Sequence, residues 1–208
     1  LVTASAAALA AAALPFAAVF SNAPREVAGI GGVLLAFLIG LVPFSMVFLM
    51  QRVYYALGDT RTPFLFQLVQ SAIFVAGALV VAVVAPGPVV AAGIALVTSF
   101  AGTAQAVVAA LLLRRRLGGQ GGRRVALRLG TYLAATVPAT AAGLGVLWLL
   151  GGLPADGGGF AVSGRIPGLL SVVVIGAVTM LVYLGVLALA RVPEIRDLGG
   201  LFRRFLRR

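Results

Sequence analysis

The chain has 208 residues, of which 62% are hydrophobic and 10% are charged, and its mean hydropathy is +1.13. Soluble domains are about 45–50% apolar and about 25% charged, so this composition excludes an ordinary soluble globule, and it is too hydrophobic for a disordered chain. Cysteine and histidine are both absent, which excludes disulfide frameworks, cysteine or histidine metal sites and Ser-His-Asp triads. The five acidic residues are single and scattered, whereas membrane enzymes usually group acids for metal or base roles. We therefore expect no metal, no cofactor and no enzymatic activity.

The net charge is +11, and every basic residue is an arginine. A strongly basic chain can indicate nucleic-acid binding. Here the arginines flank apolar segments of membrane-spanning length, where basic residues determine topology. We therefore expect no nucleic-acid partner.

Six apolar segments follow one another along the chain, each long enough to cross a bilayer as a helix. None has the alternation of apolar and polar residues that is typical of barrel strands. We predict an all-α fold, a polytopic membrane helix bundle of about six transmembrane helices that occupies residues 1–190. The predicted spans are residues 3–20, 27–50, 63–84, 89–113, 125–150 and 167–190.

Charge predicts the orientation of the bundle. Every arginine except Arg25 and Arg165 lies in or beside the connections 51–62 and 114–124 or in the tail 191–208. The positive-inside rule places these segments in the cytoplasm, and six spans then place both ends there. We interpret residues 191–208 as a basic cytoplasmic tail, either a topology anchor or an amphipathic segment on the anionic leaflet.

The first residue is Leu1, and the segment that follows lacks the basic start of a secretory signal. We therefore expect the chain to be part of a longer protein.

Glutamines interrupt two of the apolar spans. Gln67 and Gln70 share one face of the third span, and Gln105 lies on the fourth, across a short connection. Two interpretations stay open: hydrogen bonds between helices, which contribute about 0.6 kcal/mol per pair, or the polar wall of a substrate cavity. Small residues at four-residue steps, Gly32, Ala36 and Gly40, predict a close-packed face on the second span.

The connection between the second and third spans reads QRVYYALGDTRTP over residues 51–63. Gly58 permits the chain to turn out of the second helix. Thr62 is a candidate cap for the third helix, with Pro63 at its first helical position, where a missing N–H costs nothing.

The same segment carries one acidic residue among basic and aromatic ones. Asp59 lies between Arg52 and Arg61 in sequence, and we predict that it pairs with one of them. Tyr54 and Tyr55 are expected at the membrane interface, where aromatic rings anchor helices.

This segment resembles a connecting loop of the MurJ/MviN family of lipid II flippases, whose pattern is approximately R-x-F/Y-Y-A-x-x-D-T-x-T-P. The resemblance implies a two-lobed transporter of fourteen helices, in which this chain would supply spans nine to fourteen and the missing N-terminal half would be its partner. The matching residues are Arg52, Tyr54, Tyr55, Ala56, Asp59, Thr60, Thr62 and Pro63.

The resemblance also implies a function, the movement of lipid II across the bacterial cytoplasmic membrane by alternating access. The pyrophosphate and sugar head of lipid II would enter a cationic cavity whose arginines lie outside this chain. The last two spans of the family form an apolar groove for the polyprenyl tail, which maps to residues 125–150 and 167–190. The expected partners are lipid II and membrane lipids. Two alternatives stay open: a flippase for another polyprenyl-linked oligosaccharide, or a non-transporting membrane scaffold, including a truncated relic.

Overall fold

The computed structural model describes residues 1–21, 23–118, 122–152 and 159–190. Within these residues the secondary structure is helical and contains no strand, which confirms the all-α prediction. The predicted tail, residues 191–208, lies outside the described residues, as do residues 22, 119–121 and 153–158 in the connections between helices.

The described part of the chain contains seven α-helices, which follow the apolar pattern of the sequence. Five of them, α3 to α7, are long and apolar enough to cross a membrane, which confirms a membrane helix bundle. Short 3₁₀ turns precede α5 and α7. The helices are α1 (Val2–Ala11), α2 (Ala13–Ala18), α3 (Pro24–Ala56), α4 (Arg61–Val84), α5 (Val90–Arg116), α6 (Gly122–Leu149) and α7 (Arg165–Leu189).

The first predicted span, residues 3–20, is divided into α1 and α2. The helix breaks at Ala12, whose φ of −98° and ψ of 13° leave the helical geometry. Pro15 has no N–H, so the carbonyl of Ala11 lacks the donor that a continuous helix would supply. Because α1 alone has 10 residues, it is too short to cross a bilayer. That α1 and α2 together form a sixth crossing stays a prediction.

The second predicted span, residues 27–50, is part of a longer helix. α3 has 33 residues, which at 1.5 Å per residue is about 50 Å long. The hydrocarbon core of a bilayer is about 30 Å thick. α3 is therefore longer than the core is thick. Its last turns include the first half of the segment that the sequence predicted as a loop.

Helices α3, α4 and α5 form one group, in which α3 and α5 make the closest contact. The Ser99 hydroxyl donates a hydrogen bond to the Ala36 carbonyl at 2.6 Å, and Gly40 lies directly against Ser99. This confirms Ala36 and Gly40 as a close-packed face. Gly32 has no neighbouring atom within 4 Å of its missing Cβ, whereas Gly31 approaches α2.

Helices α1, α2, α6 and α7 form the second group. α1 packs on both α6 and α7, and a buried hydrogen bond of 2.6 Å joins the Thr3 hydroxyl to the Tyr183 hydroxyl. The two groups meet mainly where α1 and α2 pack on α3. Along the rest of their common boundary, the described parts of α5 and α6 leave a gap.

Candidate functional site

The segment 51–63 is a helix, a tight turn and the start of a second helix. Gly58 has a φ of +69°, and this left-handed conformation ends α3. The Asp59 N–H donates to the Tyr54 carbonyl at 3.0 Å, and the Gly58 N–H donates to the Tyr55 carbonyl at 3.0 Å. This pair of bonds is the Schellman motif, so the predicted role of Gly58 is confirmed.

Asp59 caps the next helix. Its Oδ1 accepts hydrogen bonds from the backbone N–H groups of Arg61 at 3.1 Å and Thr62 at 3.0 Å. Its Oδ2 accepts a bond from the Thr62 hydroxyl at 2.8 Å. The prediction that Thr62 is the cap was wrong, because α4 begins at Arg61 and Thr62 is already helical. Pro63 is the third helical residue, where its missing N–H still costs no hydrogen bond.

Asp59 also joins this turn to a distant helix. Its Oδ2 pairs with the guanidinium of Arg116, the last residue of α5. The predicted partners Arg52 and Arg61 were wrong, because the helix packing brings the end of α5 to the turn. The backbone and hydroxyl bonds from Thr62, followed by the Arg116 charge, lower the Asp59 pKa from 3.8 to about 2. The carboxylate is therefore ionised at any physiological pH.

Tyr54 and Phe66 form the buried floor beneath this turn. Both side chains are almost completely buried, and their ring centroids lie 5.9 Å apart. The Tyr54 hydroxyl reaches the Ala109 carbonyl of α5 at 3.4 Å. Tyr54 is therefore packed between helices, and its buried ring does not face outward as the predicted interfacial anchor would. The Tyr55 side chain is exposed.

The three predicted cavity glutamines form one hydrogen-bonded chain. The Gln105 side-chain amide donates to the Gln67 oxygen at 2.9 Å, and the Gln67 amide donates to the Gln70 oxygen at 2.7 Å. Gln105 is buried, and the chain links α5 to α4. None of the three residues lines the apolar cavity between the two helix groups. Their role in a substrate cavity stays a prediction.

The gap between the two helix groups is an apolar cavity of about 800 Å³, lined by α1, α3, α5 and α6. Among the described residues, no charged side chain lines the cavity, and the polar side chains that line it are threonines. Several of these hydroxyls already have partners: Thr103 donates to the Ser99 carbonyl at 2.7 Å and Thr136 to the Leu133 carbonyl at 2.6 Å. The cavity therefore presents mainly hydrocarbon to its contents.

The Asp59 turn and nearly all of the apolar cavity lie in a region that matches a known protein family. A family model described as lipid II flippase MurJ matches residues 4–157. The chain belongs to this family. The match begins within α1, contains α2 to α6 and the segment 51–63, and ends before α7. A search of curated proteins and a search of solved structures each give no match.

The five apolar helices and the match to the MurJ family make this chain a multi-pass membrane protein. It belongs to a family of flippases, which move lipids and are not enzymes. In the part of the chain that the structure describes, no three histidine, cysteine, aspartate or glutamate side chains are grouped to hold a metal ion. Sequence reasoning missed two residues of the site. Arg116 lay within a run of three arginines that was interpreted as a topology signal, and Phe66 resembled any lipid-facing residue.

Proposed function

We propose that this chain is the C-terminal portion of a transporter that moves lipid II across the bacterial cytoplasmic membrane by alternating access. The observation that carries the proposal is the apolar cavity between the two helix groups, in a chain that belongs to the MurJ family. We assign the cavity to the polyprenyl tail. The resemblance mapped a tail groove to the last two spans; α6 lines this cavity and α7 does not.

The chemistry of the cavity suits a hydrocarbon chain. Ligand sites are commonly about 300–1,000 Å³ and mostly apolar, and this cavity has the volume and the lining of such a site. The lipid core is as apolar as the cavity wall, so a tail can exchange between them with little change in free energy. Weak retention is what a flippase needs, because it must release the tail on the opposite side.

The charged head of the substrate needs a different site. A pyrophosphate pays a large desolvation cost in an apolar medium, so it requires cationic or hydrogen-bonding partners. The predicted spans of this chain carry no charged residue near their centres. We therefore propose that the head is bound by helices outside this chain, in the N-terminal half of the full-length protein.

The glutamine chain is the second element of the proposal. Gln67 is exposed on α4 although it lies within a span. An exposed amide facing lipid is unfavourable, so this face of α4 is better suited to a water-filled path or to another helix. We propose that Gln67 and Gln70 contribute to the wall of the transport path, with Gln105 holding them in place.

The cavity assignment is tested by filling it. Ala110 on α5 lines the cavity, so Ala110→Phe in the full-length protein should reduce lipid II transport in vesicles. Leu111, the next residue, is exposed and is not among the cavity residues, and Leu111→Phe is the matched control. Equal transport by both variants and the wild type would remove the cavity from the mechanism.

A further inference from the structure

We infer that Arg116 is a positioning residue: through its ion pair with Asp59 it fixes the motif end of α4 to the end of α5. The motif end is the first turn of α4 with the Gly58–Thr60 turn before it. Any effect of Arg116 on lipid II transport rests on the proposed function. Its effect on the distance between α4 and α5 does not.

α4 is weakly held over most of its length, and its two buried residues both lie near the motif end. Only Pro63 and Phe66 are buried along α4, and its direct packing on α3 is slight. α4 therefore depends on α5 for its position. Far from the motif end, Gly77 packs on Val97, whose Cγ1 would lie 2.6 Å from an added Cβ. Gly93 packs on Val81, whose Cγ1 would lie 2.8 Å from an added Cβ.

The contacts between α4 and α5 thus form a series along the pair. Glycine contacts hold the far half, and the Gln105–Gln67 hydrogen bond holds a point nearer the motif. The buried Phe66 then packs in one cluster with Ala106 and Ala109 of α5, and the Asp59–Arg116 ion pair holds the turn before α4. The ion pair is the outermost contact of the series. Losing it should loosen the motif end about the remaining Phe66 contact and leave the far half in place.

Arg116 can be removed without removing the helix cap. Asp59 keeps three other hydrogen bonds, all to Arg61 and Thr62. α4 can therefore still begin at the same residue when Arg116 is absent. A substitution of Arg116 removes only the ion pair between α4 and α5, whereas a substitution of Asp59 also removes the helix cap.

The Arg116 side chain is 44% exposed and the Asp59 side chain 15% exposed. Exposed ion pairs contribute little to stability. When the pair is lost, we expect the fraction of molecules whose motif end is separated from α5 to rise by up to about fivefold. A measurement of distance distributions can detect such a shift, whereas a growth assay can miss it.

The experiment uses the full-length protein, to which spin labels are attached at introduced cysteines; this chain has none of its own. One pair of labels is at Phe64→Cys and Leu111→Cys, near the motif end. The second pair is at Leu79→Cys and Leu96→Cys, in the far half. All four native side chains are exposed.

Arg116→Gln should broaden and lengthen the distance distribution of the motif-end pair and leave the far pair unchanged. Arg116→Lys keeps the charge and should retain the narrow distribution. The matched control is Arg115→Gln, because the adjacent Arg115 makes no ion pair with a described residue. An unchanged motif-end distribution in Arg116→Gln overturns the inference, as does an equal change in Arg115→Gln or a failure of Arg116→Lys to rescue.

A transport assay on the same variants separates this inference from the proposed function. If the wild type moves no lipid II but Arg116→Gln still releases the motif end, the proposed function fails and the positioning role stands. If the wild type transports lipid II and Arg116→Gln alters neither distance nor transport, the positioning role fails alone.

Discussion

Gly40 of α3 and Ser99 of α5 approach so closely that a Cβ on Gly40 would lie 2.7 Å from the Ser99 Cα. The obstructing atom is backbone, which cannot rotate away. The same serine donates its hydroxyl to the Ala36 carbonyl, so the glycine contact and the hydrogen bond stabilise one helix crossing. Small residues let helix backbones meet in this way within a bilayer.

Gly40→Ala should therefore destabilise the bundle. The added methyl group must push α3 and α5 apart, and overpacking of this kind costs about 1–3 kcal/mol. The measurement is the thermal unfolding midpoint in detergent. Gly32→Ala is the control, since nothing lies within 4 Å of its Cβ position, and it should be neutral or slightly stabilising. Equal midpoints for the two variants would contradict the close contact.

Thr179→Val should stabilise the protein. The Thr179 hydroxyl is fully buried and has no hydrogen-bond partner among the described residues, a condition that costs about 1–3 kcal/mol. Valine has the same shape without the hydroxyl, so the unfolding midpoint should rise. Thr98→Val is the control, because that hydroxyl already donates to the Ile94 carbonyl at 2.8 Å. A lower midpoint for Thr179→Val would mean that the hydroxyl has a role in the native state.

The glutamine chain should show energetic coupling between α4 and α5. We expect a double-mutant cycle of Gln67→Leu and Gln105→Leu to give a coupling energy of about 0.6 kcal/mol, and no more than about 1.7 kcal/mol. The two single variants and the double variant are compared by unfolding in detergent. Strict additivity would show that the bond between the two amides contributes nothing to stability.

The Asp59 contribution to stability should be independent of pH over the physiological range. The Asp59 pKa is lowered from 3.8 to about 2 in the folded protein. Folding therefore favours the ionised form, and this stabilisation is complete above about pH 4 and is lost as the pH falls toward 2. The unfolding midpoint of the wild type should approach that of Asp59→Asn only below pH 4. A difference that varies between pH 5 and pH 8 would contradict the assignment.

The proposed orientation predicts the side from which cysteines can be labelled. Leu117 follows α5 and Phe160 precedes α7, and both are exposed. A membrane-impermeant maleimide added to intact cells should label Phe160→Cys and should label Leu117→Cys only after the cells are opened. The opposite pattern would reverse the topology derived from the arginines.

The long helices could be predicted from sequence because membrane spans are defined by composition and length. The predicted span 63–84 corresponds to α4 (Arg61–Val84), and the predicted span 167–190 corresponds to α7 (Arg165–Leu189). The glutamine pair on one face was also predictable, because residues three apart share a helix face. That spacing brought Gln67 and Gln70 within hydrogen-bond distance.

Contacts between distant segments could not be predicted in the same way. Asp59 has two arginines nearby in sequence, and only the order of packed helices brings Arg116 closer. The cap depended on where α4 begins, and both Asp59 and Thr62 are good cap residues. The cavity had no sequence signal, because a residue that faces a hydrocarbon cavity has the same composition as one that faces lipid.

The measurement that tests the central claim most directly is lipid II translocation by the full-length protein reconstituted in vesicles, with lipid II placed initially in one leaflet. The account predicts that lipid II reaches the opposite leaflet in the presence of the protein, and that Ala110→Phe slows this movement while Leu111→Phe does not. Movement of another polyprenyl-linked oligosaccharide but not of lipid II would contradict the substrate. No movement of either lipid would contradict transport itself and favour a membrane scaffold.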